Sequence, residues 1–168
     1  MAYGYGVSFT PLQILTFYNA IANEGEMVKP RFLNQISHFG NSPNQVFSKQ
    51  VLNPSICSDE TLRKVNKMMF NVIDKDWGTA HSIKDPLLTM AGKTGTVQVV
   101  RISETEREKG LIKNEDRPWQ KRDHALFVGY APASKPKYSI SVVVEHGGSG
   151  SSIAAPIARD VFKYIFKV

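Results

Sequence analysis

The chain has 168 residues, 42% of them hydrophobic, 21% charged and 10% aromatic, which is enough apolar sequence to bury one core and excludes disordered and fibrous classes. Lys and Arg outnumber Asp and Glu by 21 to 15 for a formal charge of +6, but the basic residues are scattered from Lys29 to Lys167. With no Lys/Arg block, zinc-finger spacing or RNA-recognition aromatic motif, no nucleic-acid partner is expected. The lone cysteine, Cys57, excludes an intramolecular disulfide and a cysteine-built metal site, and neither metal nor cofactor is expected. No apolar run approaches the roughly 18 residues of a membrane span, and the start from Met1 to Thr10 lacks a signal-peptide pattern, so the chain reads as soluble.

Thr10-Pro11-Leu12-Gln13 combines a capping box with Pro at the first helical position, where no amide donor is missed. Apolar residues at Leu12, Leu15, Tyr18 and Ala22, with Ile14, Phe17 and Ile21, fit a 3.6-residue period, and Gly25 is placed to stop it. The pattern predicts a helix over residues 11–23. Residues 31–37 and 45–48 are β-like and flank the turn cluster Gly40-Asn41-Ser42-Pro43, which predicts a small hairpin. Ser58 followed by Asp59 and Glu60 is a helix start, and Leu62, Val65, Met69 and Val72 supply a buried stripe ending near Ile73. Met68-Met69-Phe70 falls in this helix and reads as core.

Residues 87–90 and 96–100 flank Ala91-Gly92-Lys93-Thr94-Gly95, and the β-branched Val97, Val99 and Val100 extend a strand through it. Residues 101–123 carry seven basic and six acidic side chains with almost no apolar pattern. Such a loop beside the one chemical motif is a candidate cleft rim or a tolerated surface insertion. Residues 125–130 and 138–145 are β-rich, separated by a Pro-containing turn, and predict an antiparallel hairpin. Ile153, Ile157, Val161 and Ile165, with Ala158 and Phe162, predict a terminal amphipathic helix. The fold class is α+β: an antiparallel sheet flanked by helices.

Ala91-Gly92-Lys93-Thr94 has the letters of a P-loop tail, but position 87 is Leu87 where the motif needs Gly. A strand follows instead of a helix, so no phosphate site forms. Read as an edge, Lys93-Thr94-Gly95-Thr96 offers a cation, two hydroxyls and a side-chain-free stretch of backbone, which suits an anionic acyl substrate. Ideal pleating puts Thr94 and Thr96 on one face and Lys93 and Gly95 on the other, so local twist or an edge position must bring them to one cleft.

Trp77-Gly78-Thr79-Ala80, Ala91 to Gln98, Asp123-His124-Ala125, Phe127 to Pro132 and Glu145-His146-Gly147-Gly148, following the capped Thr-Pro-Leu-Gln helix, resemble in order the class B penicillin-binding transpeptidases of the penicillin-binding protein 2 group. That family carries Ser-x-x-Lys with the acylated serine, Ser-x-Asn, and Lys-Thr/Ser-Gly on a cleft-edge strand. The resemblance implies that residues 1–168 are the C-terminal part of a transpeptidase domain of the β-lactamase-like fold, carrying the third motif and lacking the nucleophile. The parent enzyme would cross-link peptidoglycan stem peptides ending in D-Ala-D-Ala through a serine acyl-enzyme and bind β-lactams. It would work with the cell-wall elongation machinery at the periplasmic face of the bacterial inner membrane. Carried over residue by residue, Lys93 would serve the proton relay and the substrate carboxylate, and the Thr96 amide would be one oxyanion-hole donor. The Thr94 and Thr96 hydroxyls would hold the terminal carboxylate, and Gly95 would admit the substrate backbone. The alternative is a non-catalytic sheet edge that holds peptides or a protein.

Ser134-Lys135-Pro136-Lys137 matches Ser-x-x-Lys only by letter, because it lies in a turn after the third motif. Ser42-Pro43-Asn44 likewise reads as a turn. Asp123-His124 reads as structural, since adjacent residues entering a strand point to opposite faces. Gly147-Gly148-Ser149-Gly150-Ser151 lacks the last glycine of a nucleophile elbow and reads as a strand-to-helix turn. Trp77 and Trp119 line a cleft or pack.

Overall fold

The computed structural model describes residues 7–36, 45–100, 104, 108, 110 and 112–168. Helix α1, Pro11–Ala22, starts where the sequence directs it. The Gln13 amide donates to Thr10 Oγ1 at 3.2 Å, and the Thr10 amide donates to Gln13 Oε1 at 2.8 Å. After the helix, Glu24 and Gly25 take left-handed backbone angles and the Gly25 amide donates to the Ala20 carbonyl, closing the last turn. Helix α2, Asp59–Asp74, is capped by Ser58 with Asp59 and Glu60 in its first turn, where acidic side chains favour the helix dipole.

Between the two helices lie four short strands: β1 (Met27–Val28), β2 (Gln35–Ile36), β3 (Gln45–Val46) and β4 (Val51–Asn53). β1 pairs with β4, and β2 with β3, both antiparallel. The expected hairpin is therefore present in β2 and β3, while its turn cluster at 40–43 and the Ser42-Pro43-Asn44 triplet lie outside the described residues. The main sheet has the order β5 (Ala91–Val97), β6 (His124–Ala131), β7 (Tyr138–Val144), all antiparallel. A π-helical turn at Gly150–Ala154 then leads into α3, Ala155–Phe166.

Directly paired residues of antiparallel strands share a face, so the register assigns the two sides of this sheet. Ala125, Phe127 and Ala131 of β6 are buried against Ala155, Ala158 and Phe162 of α3 and against Ile83, Leu88 and Met90 of the segment entering β5. On the opposite side Tyr130 and Ala91 pack with Ile21 of α1 and with Leu62 and Met69 of α2. Three side-chain tethers tie helices to this frame. Ser139 Oγ donates to Asn19 Oδ1 at 2.9 Å, the Tyr130 hydroxyl donates to Asn66 Oδ1, and Lys163 Nζ donates to Asp85 Oδ2 at 2.7 Å. Burial pushes the Tyr130 hydroxyl up to about 12.

Glycine makes the centre of the sheet possible. Gly92 and Gly129 face each other across β5 and β6, on the same side as Phe127. A Cβ on either would run into the Phe127 ring, and one on Gly129 would also strike the Ala91 carbonyl. The paired glycines therefore leave the slot in which this fully buried ring lies.

The terminal helix differs from its sequence pattern. Its buried residues are Ala155, Ala158 and Phe162, whereas Ile153, Ile157, Val161 and Ile165 are each about 40% exposed. Two apolar stripes run along this helix, and the one with the small Ala residues approaches the sheet because it permits close contact. Met68 corrects a second expectation: Met69 is buried and Phe70 packs beside it, but Met68 points outward from α2.

Removing the Phe162 ring leaves a cavity in the core between α3 and the sheet. Phe162→Ala is expected to cost about 3–5 kcal/mol in urea unfolding. Ile157→Ala, on the exposed stripe, is expected to cost under about 1 kcal/mol. The Asp85 carboxyl is held below the usual carboxylate range, first by the Lys163 hydrogen bond and then by the Leu87 amide. A depressed folded pKa contributes stability that is present above the unfolded value and is lost as the pH falls through the folded one. Asp85→Asn should therefore lower the thermal midpoint at pH 7, and the gap to the unaltered chain should close below about pH 4.

Candidate functional site

Lys93, Thr94, Gly95 and Thr96 all lie on β5. β5 is an edge strand, and among the described residues no strand pairs with its outer side. Lys93 and Thr96 are exposed, and Thr94 and Gly95 are half-buried. The segment is therefore extended and open to solvent along one margin.

The register answers how the alternation is accommodated. Thr94 pairs with Phe127 and Thr96 with Ala125, so both side chains belong to the α3 face, while Lys93 pairs with Val128 and Gly95 with Leu126 on the α1–α2 face. No bulge interrupts the β5–β6 pairing. The residues share a single margin through the edge position of β5, with the pairing to β6 unbroken. Lys93 Nζ donates to the Thr94 carbonyl at 2.6 Å, and among the described residues no carboxylate pairs with it.

Two contacts that sequence reasoning assigned no role shape this edge. Thr79 Oγ1 and Thr94 Oγ1 are 3.0 Å apart, linking the Trp77 to Ala80 turn to the strand. When Thr79 donates, the Thr94 proton remains available to a ligand. Gly150, in the turn before α3, lies directly over β5: a Cβ there would overlap the carbonyl oxygens of Gly95 and Leu126 and sit 3.0 Å from the Gly95 nitrogen. Backbone is thus stacked on backbone behind Gly95, a requirement that only glycine meets.

Among the described residues of the charged segment before β6 are two 3₁₀ turns, Asn114–Asp116 and Trp119–Lys121. Between it and the tail of β5 lies a 210 Å³ cavity lined in part by Gln98, Val100, Asn114 and Asp123. Trp119 packs against His146 with ring centroids 4.7 Å apart and the rings tilted by 60°, and His146 stands edge-on to His124 at the same separation. The His146 amide donates to His124 Nδ1 at 2.9 Å and His146 Nδ1 bonds to the Arg122 carbonyl at 3.0 Å. His124 therefore carries its proton on Nε2 when neutral, and both rings are used in joining the loop to the sheet. Trp77 is exposed. Ser134 is exposed in the β6–β7 turn, beyond the Ala91 end of β5 and away from Thr96. Among the described residues no three His, Cys, Asp or Glu side chains converge as metal ligands.

Residues 1–163 match the penicillin-binding protein transpeptidase domain. The chain is 38% identical to the peptidoglycan D,D-transpeptidase MrdA of Acinetobacter baumannii over 159 residues, covering 92% of the chain and 22% of that protein. It is 32% identical to MrdA of Haemophilus influenzae over 160 residues, 92% of the chain and 23% of that protein. The chain thus spans less than a quarter of the length of these relatives. Among solved structures, penicillin-binding protein PBP2 of Helicobacter pylori, in complex with MreC, superposes with a TM-score of 0.68 at 27% identity, over 94% of the chain and 25% of the other. A match that runs through nearly all of the sequence and carries the three-stranded sheet with its helices leaves one conclusion, that this chain belongs to the penicillin-binding protein transpeptidase family.

Proposed function

We propose that the chain is the Lys-Thr-Gly portion of a peptidoglycan D,D-transpeptidase domain, and that β5 forms one wall of its active site. The observation that carries the reading is the exposed, cationic edge strand bearing Lys93-Thr94-Gly95-Thr96 in a member of this family. In the complete enzyme a serine hydroxyl, supplied by sequence outside this chain, attacks the carbonyl of the penultimate D-Ala. An ester forms, the peptide bond to the terminal D-Ala breaks, and the departing amine takes up a proton. An amine of a neighbouring stem peptide then attacks the ester, forms the cross-linking amide and releases the serine.

Each residue of the edge has a physical task in that sequence. Lys93 brings a positive charge to the substrate's terminal carboxylate and to the proton relay, lowering the free energy of developing negative charge. The Thr94 and Thr96 hydroxyls donate to the same carboxylate. The Thr96 amide supplies one oxyanion donor and the serine's own amide the second. Loss of one donor alone costs about 2.7–4 kcal/mol of barrier, and without the serine no acyl-enzyme forms, so the isolated chain is inactive. Gly95 leaves room for the substrate backbone to run beside β5 as an added strand. β-Lactams enter the same site as mimics of D-Ala-D-Ala. The parent protein acts at the periplasmic face of the inner membrane with the elongation machinery, a partnership suggested by the relative solved with MreC.

A fluorescent penicillin is expected to leave no covalent label on the 168-residue chain, and an adduct mapped to Ser134 would overturn the assignment of the nucleophile. Titration with a D-Ala-D-Ala-terminated pentapeptide should shift the amide resonances of Lys93 to Thr96. Lys93→Ala should weaken that binding about tenfold or more, the scale of one charge-assisted hydrogen bond. No perturbation along β5 would sink the proposal. Equal binding of an L-Ala-terminated peptide would favour a non-catalytic, sheet-edge binding module.

A further inference from the structure

Asp123 stands where four parts of the structure meet. Its carboxylate accepts the Val99 amide at 3.3 Å through Oδ1 and the Asn114 side-chain amide at 3.0 Å through Oδ2. Its own amide donates to Asn114 Oδ1 at 2.9 Å, so the two side chains embrace in a closed pair. Its carbonyl accepts the Gly148 amide at 2.8 Å. The next residue, His124, opens β6 opposite Val97, the last residue of β5.

These bonds converge on the Thr96 end of the edge strand. Val99 lies three residues beyond Thr96, and Gly148 lies two before Gly150, whose α-carbon rests on the Gly95 backbone. Gly148 has a left-handed backbone, and a Cβ there would be in ordinary contact with Asn114, so the glycine turn lies beside the residue that clasps Asp123. One side chain and its own peptide group thus hold the strand tail and, through the glycine turn, the layer stacked behind Gly95.

We propose that Asp123, clasped by Asn114, is a positioning residue that fixes the Gly95–Thr96 backbone of the candidate site. The inference rests on the reading of β5 as the wall of a transpeptidase site and adds the residue that sets the geometry of that wall. Asp123 touches no substrate. It acts through Val99 and the Gly148 turn on the amide proposed as oxyanion donor.

Exchanging the partners supplies a test that separates position from bulk stability. In Asn114→Asp/Asp123→Asn the carboxylate moves to residue 114, accepts the backbone and side-chain amides of residue 123, and leaves the new side-chain oxygen at 123 to accept from Val99. Amide hydrogen exchange is measured on the 168-residue chain, with the Thr96 amide shift as readout of backbone geometry. Asp123→Ala is expected to speed exchange at Val99 and Gly148 about tenfold and to move the Thr96 resonance, with exchange at Tyr130 unchanged. The exchanged pair should return all three signals close to those of the unaltered chain. A response confined to Val99, or an exchanged pair no better than Asp123→Ala, would overturn the proposal. Should Asp123→Ala fail to fold, Asn114→Ala removes half of the clasp and is judged by the same signals. The D-Ala-D-Ala pentapeptide titration is run alongside. Failure of the unaltered chain to bind it counts against the site reading, while the exchange data still decide the clasp.

Discussion

Seven consecutive residues of β5 pair in register with β6, and this ladder is what makes the Lys-Thr-Gly segment an extended edge strand instead of a loop. It depends on a packing condition at its centre. Phe127 must lie across the sheet beneath α3, and it does so only because Gly92 and Gly129 present no Cβ to its ring. At the far end the same economy recurs, with Gly150 set against Gly95 so that the π-helical turn sits on the strand without intervening side chains. The chemistry-bearing residues are thereby mounted on a strand fixed on its inner side by pairing and from behind by backbone contact, with only the outer margin free. Such mounting holds functional groups more closely than a loop does.

The sequence and the structure agree where the determinants are local. The Thr10–Gln13 box joins partners three residues apart, Ser58 with Asp59 and Glu60 marks a helix start, and the motif itself is strand through Val97. The extended form of Lys93-Thr94-Gly95-Thr96 is legible for the same reason, because the residues that make this strand are consecutive. The expected flanks at 87–90 and at Val99 and Val100 are not strand, because pairing with β6 ends where Val97 meets His124. Contacts that complete the site join residues the chain must fold to bring together. Thr79 meets Thr94 across 15 positions and Asp123 meets Val99 across 24, and no periodicity signals either pair. The Asp123-His124 pair illustrates the boundary. Alternation is all the sequence offers for the two side chains, and what each one joins depends on Asn114, Gly148 and His146, which the folded loop supplies.

Helix α3 shows a different limit. A period of 3.6 residues identifies apolar stripes but does not rank them when a helix has two. The expected pattern grouped Ile153, Ile157, Val161 and Ile165 with Ala158 and Phe162, and of these Ala158 and Phe162 are buried while the four aliphatic residues stay about 40% exposed. Packing against a sheet rewards close approach as well as apolar area, and the alanines let the helix come near enough for Phe162 to fill the space beside Phe127. Met68 and Met69 repeat the point on α2, where neighbours of identical chemistry divide between solvent and core because they lie about 100° apart around the helix axis.

The opposed orientations of Lys93 and Thr96 bear directly on how an edge strand recognises a ligand. A ligand resting on one face of a sheet meets alternate residues, and Lys93 could not join Thr94 and Thr96 in gripping it. One lying alongside the margin, in the plane of the sheet, meets the backbone first and has side chains of both faces on either flank. Under the proposed reading the Thr96 amide then addresses the reacting carbonyl from the plane, the Thr94 and Thr96 hydroxyls approach from the α3 side, and the Lys93 ammonium approaches from the α1–α2 side. The alternation that divides the motif between two faces becomes, on that reading, the means of enclosing an extended acyl peptide, provided the margin stays unpaired and the Gly95–Thr96 backbone does not move. The first condition is met among the described residues by the order β5-β6-β7, and the second is the task assigned to the layer of Gly150 and the clasp of Asp123.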